Sequence, residues 1–187
     1  MRKIIASEFV SADGYMVGRN EDMSWVTGNF SDQMGKYAAD LMASMDTILL
    51  GRVTYQIMAN AWPNWTEEQS PSADMMNHTP KVVVSKTLHK APWGKYEAAR
   101  IINDNVKQQI IELKEKSGKN VVIYGSGKLV QSLTELGLID EYQLLVHPFL
   151  LGGGKQLFGP RQTPISLKLG STETFRNGVV VLYYNAT

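Results

Sequence analysis

The chain has 187 residues, 43% of them hydrophobic and 20% charged, the make-up of an ordinary globular domain with a real core. Its formal net charge of +1 supplies no overall field for nucleic acid or an anionic membrane, and neither is an expected partner. The absence of cysteine excludes disulfides, thiolate metal sites and a cysteine nucleophile. His78, His89 and His147 stand far apart in no metal-binding spacing, so no metal site is expected.

The chain opens MRKIIASEFVSADGY, where Glu8 and Asp13 interrupt the apolar residues too early for a signal peptide. No apolar run approaches the length of a membrane span. These features predict a cytoplasmic protein. KIIASEFV (3–10) reads as a first strand stopped by the turn pair Asp13–Gly14. Residues 20–30 read as a loop carrying Trp25. Ser31 caps a predicted helix from Asp32 to Met45, with Met34, Tyr37, Ala38, Leu41, Met42 and Met45 on one face. DTILLG (46–51) is a buried strand, followed by a short helix from about Val53. Residues 60–80, with Trp62–Pro63, Trp65, Pro71 and Pro80, predict a long irregular connection with at most one helical turn.

KVVVS (81–85) and ARIIN (99–103) are the next strands, and Asp104 to Lys116 an amphipathic helix ended by Gly118. VVIY (121–124) is a strand, Lys128 to Leu136 a helix ended by Gly137, and EYQLLVH (141–147) a further strand. PFLLGGGKQLFGP (148–160) is a glycine-rich loop. ISLKLGSTETF and VVVLYYN flank Arg176-Asn177-Gly178, a strong hairpin signal. Strand–helix repeats followed by strands alone predict an α/β fold in one domain over 1–187, a mostly parallel sheet with an antiparallel hairpin at one edge.

Three stations follow strand ends, where open α/β sheets bind ligands. The first is VVIYGSGKLV, in which Gly125 and Gly127 let the backbone approach an anion at a helix start whose N–H groups lack intrahelical partners. Taken alone, Gly-Ser-Gly is also an ordinary tight turn. It is not a P-loop, because Val122 and Leu129 stand where glycine and Ser/Thr are needed, nor a Rossmann fingerprint, because Val130 replaces the third glycine. The second is Gly51, Arg52 and Thr54, a helix start with a guanidinium suited to phosphate. The third is Ser85, Lys86 and Thr87. Three polar stations in series fit one long ligand with several phosphates.

SADGYMVG (11–18), LLGRVTY (49–55), VVVSKTL (82–88), VVIYGSGKLVQSL (121–133) and HPFLLGGGKQLF (147–158), in this order, resemble the dihydrofolate-reductase-like superfamily. The nearest resemblance is to the reductase domain at the C-terminus of bacterial riboflavin-biosynthesis deaminase-reductases and its stand-alone relatives, over nearly the whole chain. The resemblance implies a three-layer fold with a central sheet of about eight or nine strands, NADPH as cofactor and hydride transfer to a C=O or C=N of a small heterocycle. By analogy Gly51, Arg52 and Thr54 meet cofactor phosphates. Ser85 and Thr87, with Lys86 as charge support, lie near the 2′-phosphate. Gly125, Ser126, Gly127, Lys128 and Leu129 wrap the pyrophosphate and nicotinamide side. Asp32 is the first candidate proton donor and Asp13 the second, although a first-turn acid and a turn aspartate are the plainer readings. Trp25 and Gly153 are candidates for the substrate side. His147 reads as a strand-end residue without catalytic work. A homodimer through edge strands near the C-terminus is the implied assembly. Within the enzyme class, dihydrofolate reduction is the alternative; outside it, a dinucleotide-binding protein without catalysis.

Overall fold

The computed structural model describes residues 1–160 and 163–187. In chain order the elements are β1 (Ile4–Ser11), β2 (Tyr15–Val17), α1 (Ser24–Thr27), α2 (Asp32–Ala43), β3 (Met45–Gly51), α3 (Arg52–Ala61), α4 (Ala73–His78), β4 (Lys81–Val84), β5 (Arg100–Ile102), α5 (Val106–Glu115), β6 (Asn120–Tyr124), α6 (Gly127–Glu135), β7 (Glu141–His147), β8 (Lys155–Gln156), β9 (Leu167–Thr174) and β10 (Val180–Ala186). Eight strands form one sheet in the order β5-β4-β3-β6-β1-β7-β10-β9, and β2 and β8 form a separate antiparallel ribbon. The pairs from β5 to β7 are parallel; β10 runs antiparallel to β7 and to β9. This is the expected mostly parallel sheet with an antiparallel hairpin at the edge.

The apolar runs of β1, β3, β4 and β6 lack polar alternation because helices cover both faces. On one face Ile4, Ala6, Leu49, Val121 and Ile123 pack with Ile110 and Leu113 of α5 and Leu129, Val130 and Leu133 of α6. On the other, Ile5, Ile48, Leu50, Val83 and Val122 pack with Leu41 and Met42 of α2, Tyr55 of α3 and Met76 of α4. The result is three layers.

Several boundaries differ from expectation. Ser31 does cap α2, accepting from the Met34 N–H at 3.4 Å. The helix ends at Ala43, since Met45 is already the buried first residue of β3. The loop at 20–30 contains α1, and the irregular stretch at 60–80 contains a 3-10 turn, Trp62–Asn64, and α4. Asn77 explains the order there. Its side chain donates to the Trp62 carbonyl (2.9 Å) and accepts from the Trp93 indole (2.8 Å), contacts that lie outside any local window. The glycine-rich loop contributes β8, which pairs with β2.

Candidate active site

Parallel pairing brings the three stations abreast. Gly51 lies opposite Val84, and Leu49 opposite Ile123, so Gly51, Ser85 and Gly125 leave three neighbouring strands at the same edge of the sheet. The Gly51 N–H donates to Ser126 Oγ at 2.8 Å, which ties the start of α3 to the start of α6. Gly125 and Ser126 both take positive φ, +56° and +72°, turning the chain sharply into the helix. A Cβ on Gly125 would stand 3.3 Å from Thr54 Cγ2, and one on Gly127 would strike Met16 Sδ. At Gly125 the left-handed backbone is what calls for glycine, with Thr54 close beside it, and at Gly127 a Cβ would crowd the Met16 side chain of the β2–β8 ribbon.

In α6 the Leu129 and Val130 N–H groups donate to the Ser126 carbonyl (2.7 and 3.0 Å). The first-turn N–H groups of Gly127 and Lys128 have no earlier helical carbonyl to reach. Lys128, Arg52, Lys86 and Thr87 are exposed along the same edge. Arg52 Nη1 donates to Gln56 Oε1 at 2.9 Å, which orients the guanidinium along α3. Leu129 turns its side chain into the core. Ser85 is buried, and its hydroxyl accepts from the Thr87 and Leu88 N–H groups (3.2 and 3.1 Å), so it shapes the turn that presents Lys86 and Thr87.

A crevice opens beside the glycine turn. The β1–β6 pairing ends at Ser7 opposite Tyr124, whereas β1 stays paired with β7 as far as Ser11 opposite His147. Four residues of β1 therefore run on after β6 has turned into α6. Asp13 closes the far side, accepting from Ser11 Oγ (2.5 Å) and from the Leu151 and Gly152 N–H groups (3.1 and 2.8 Å). The Ser11 bond and then the Gly152 bond hold its carboxyl below the usual range. An aspartate so held stays ionised at neutral pH; it anchors the glycine-rich loop and is poorly suited to give up a proton. Gly153 lies against Arg19, whose Nε would stand 2.5 Å from a Cβ there. Asp32 is exposed in the first turn of α2, next to Gln33, whose Oε1 accepts from the Arg176 N–H of the β9–β10 turn (2.7 Å). It joins neither Asp13 nor the glycine turn in any hydrogen bond.

Trp25 is buried, its indole donating to the Asp22 carbonyl (3.2 Å) and meeting the His147 ring edge-to-face at 5.1 Å. His147 is fully buried, with Phe9 at 5.6 Å, and neither ring nitrogen has a hydrogen-bond partner among the described residues. Burial lowers its pKa from 6.5 to about 4. Glu8 is the second such group: a buried acid on β1 whose Oε1 has no partner among the described residues and whose pKa burial raises well above the usual value. The glutamate inside the apolar run IIASEFV was the available signal for it. Ser7, Tyr37 and Gln143, which the sequence reading did not assign to a site, form a hydrogen-bonded group where the β1–β6 pairing ends, and Tyr37 and Gln143 line a cavity with Lys36, Glu173 and Tyr183.

The mostly parallel sheet with helices on both faces and a closing antiparallel hairpin has the fold of the dihydrofolate-reductase-like structures on which it superposes. The model of the RibD C-terminal domain matches residues 2–181, and the chain belongs to that family. It is 32% identical over 189 residues to protein YyaP of Bacillus subtilis (strain 168), covering 98% of this chain and 95% of that one. Among solved structures, a putative riboflavin biosynthesis protein from Shewanella sp. PV-4 superposes with a TM-score of 0.80 at 24% identity, covering 99% of both chains. A deaminase/5-amino-6-(5-phosphoribosylamino)uracil reductase from Thermotoga maritima gives 0.68 at 13% identity, covering all of this chain and 57% of that one. Dihydrofolate reductase from Enterococcus faecalis, complexed with NADP(H), gives 0.62 at 12% identity, covering 99% and 96%. Among the described residues no helix is long and apolar enough to cross a membrane.

Proposed function

We propose that the chain is an NADPH-dependent reductase of the riboflavin-biosynthesis type, acting on a C=O or C=N of a small heterocycle. The observation that carries this is the alignment of three anion-suited stations at the adjoining ends of β4, β3 and β6. Family membership supports it, as does the reductase named among the structural neighbours. The residues fit a dinucleotide. The free first-turn N–H groups of Gly127 and Lys128 suit a pyrophosphate, Arg52 and Thr54 the neighbouring phosphate oxygens, and Lys86 and Thr87 a 2′-phosphate. The glycines at 51 and 125 leave the close approach open.

When bound, the cofactor supplies the hydride; the protein positions the acceptor, excludes water and arranges protons. The crevice between β1 and β6 is the place for the acceptor, with Trp25 and the loop clamped by Asp13 closing its far side. The test is thermal stability with NADPH, NADH and ATP at equal concentration. At 100 times its dissociation constant NADPH adds about 2.7 kcal/mol of stability. The shift with NADPH exceeds that with NADH, and Arg52→Ala shrinks it. No shift with either dinucleotide overturns the assignment, and a shift without NADPH oxidation over a panel of heterocycles leaves a binding protein.

A further inference from the structure

Reduction of a C=O or C=N needs a proton as well as a hydride. Neither candidate aspartate is placed to supply it: Asp13 is ionised and committed to the glycine-rich loop, and Asp32 is exposed on α2. Tyr124 is the last residue of β6, one position before the glycine turn. It pairs in register with Ser7, in the row where β1 and β6 part. Its ring lies on the face covered by α2 and α3, packed against the cluster of Ile5, Leu50, Val122 and Tyr55. Tyr37 of α2 stands near enough for an ionised Tyr124 to hinder its own ionisation.

Tyr37, Tyr55, Tyr142 and Tyr183 each give the hydroxyl a partner: Ser7 and Gln143, the Pro92 carbonyl, Thr134 and Glu173. The Tyr124 hydroxyl has none among the described residues, although the residue is partly buried. Glu8 Oε1 and the His147 ring nitrogens are sealed from water; the Tyr124 hydroxyl is not. A phenol that packs its ring and leaves its hydroxyl open and unpaired is disposed to meet a ligand atom there. Burial raises its pKa, so it keeps its proton at neutral pH. Its titratable neighbours on this face, Tyr37 and Tyr55, are shifted in the same direction by burial.

We propose that the Tyr124 hydroxyl is the general acid of the reduction, giving its proton to the oxygen or nitrogen of the acceptor. This rests on the reductase reading, since that reading makes the crevice the acceptor site. In the step the acceptor carbon gains hydride at the expense of NADPH, its π bond to oxygen or nitrogen breaks, and the freed pair takes the Tyr124 proton. The anion formed without this proton is more basic than a phenolate, so the transfer runs downhill. The phenolate left behind regains a proton from water through the open side of its hydroxyl.

The test compares the full-length wild type with Tyr124→Phe, which keeps the ring. Two probes serve as acceptors, 5-amino-6-(5-phosphoribosylamino)uracil and 7,8-dihydrofolate, with NADPH oxidation followed by absorbance. With the probe that the wild type reduces, the variant loses at least about 100-fold in kcat while KM changes little. The wild-type rate stays level through neutral and mildly alkaline pH. The variant's rate falls about tenfold for each pH unit, since hydronium must replace the phenol, a change that disturbed packing does not produce. The NADPH-induced thermal shift stays as in the wild type, which shows that folding and cofactor binding survive. An alkaline ultraviolet titration reads the phenol without turnover: the difference between the two proteins is one tyrosine that ionises above the ordinary range. A variant with wild-type kcat, a difference titration within the ordinary range, or no reduction of either probe by an NADPH-binding wild type overturns the proposal and leaves the reductase reading standing. Absence of NADPH binding overturns that reading and the proposal with it.

Discussion

Glu8 and His147 are buried on neighbouring strands, and among the described residues Oε1 of the one and both ring nitrogens of the other have no hydrogen-bond partner, so each avoids an uncompensated charge by remaining neutral. They act on stability in opposite directions. The His147 pKa is depressed to about 4, so between pH 6.5 and 4 the unfolded chain takes up a proton that the folded chain refuses, and stability falls as pH falls. The Glu8 pKa is raised, so above the ordinary carboxyl range the unfolded chain releases a proton that the folded chain keeps, and stability falls as pH rises. From about pH 4.5 to 6.5 the two slopes oppose each other. Urea unfolding across this range is expected to show a shallower profile for the wild type than for either single variant. Glu8→Gln leaves the histidine slope, with stability rising by up to about 3 kcal/mol as pH rises. His147→Leu leaves the opposite slope. Parallel profiles for all three proteins would show that these residues have solvent or ionic partners when folded.

At the scale of elements, the start of α6 is held between two neighbours that crowd its glycines. Thr54 of α3 abuts Gly125, and Met16 of β2 abuts Gly127. The ribbon is fastened to α6 from its other strand as well, since Gln131 Nε2 donates to the Leu157 carbonyl at 2.8 Å. Gly127→Ala therefore forces the Met16 side chain aside, at a cost toward the lower end of the roughly 1–3 kcal/mol typical of overpacking. It is also expected to weaken the NADPH-induced thermal shift. Adding Met16→Ala returns the space, so the double variant loses less than the sum of the single ones. Additive losses in chemical denaturation would show that the two residues do not press on each other. The helix expected from Lys128 to Leu136 was legible from its apolar spacing, and it begins at Gly127. That a methionine 111 positions earlier sets the size limit at Gly127 was not legible, because the contact joins the ribbon to the helix across the fold.

For the whole molecule, the sheet ends on β9, eight residues long and almost wholly exposed, with Leu169 49% accessible. Such an edge presents unpaired backbone groups and invites another strand. We propose that two chains pair through β9 in antiparallel fashion, with Lys168 opposite Glu173 of the partner subunit. Sedimentation equilibrium is expected to give twice the 20.9 kDa chain mass. Thr172→Pro, which removes a ladder donor and clashes at the edge, should shift the protein to single chains. A wild type that sediments as one chain at tens of micromolar, well above the range of stable dimers, would rule this assembly out.

The strands at 46–51, 81–84, 121–124 and 141–147, the closing hairpin and the glycine turn after Tyr124 were all readable in the sequence. Each is decided by neighbours a few residues away: β-branched runs, Asn177–Gly178, and glycines where the backbone must turn left-handed. The short α1 and α4 escaped because tertiary contacts, not periodicity, stabilise them. The strand order was beyond the sequence, and with it the fact that β4, β3 and β6 end side by side while β1 and β6 part after Ser7. So was the chain from Ser7 to Tyr37 to Gln143, whose members lie 30 and 106 positions apart. Local propensity sets which segments become strands and turns. Hydrogen-bond direction, burial and proton affinity belong to whatever stands across the gap in space, and only folding determines that.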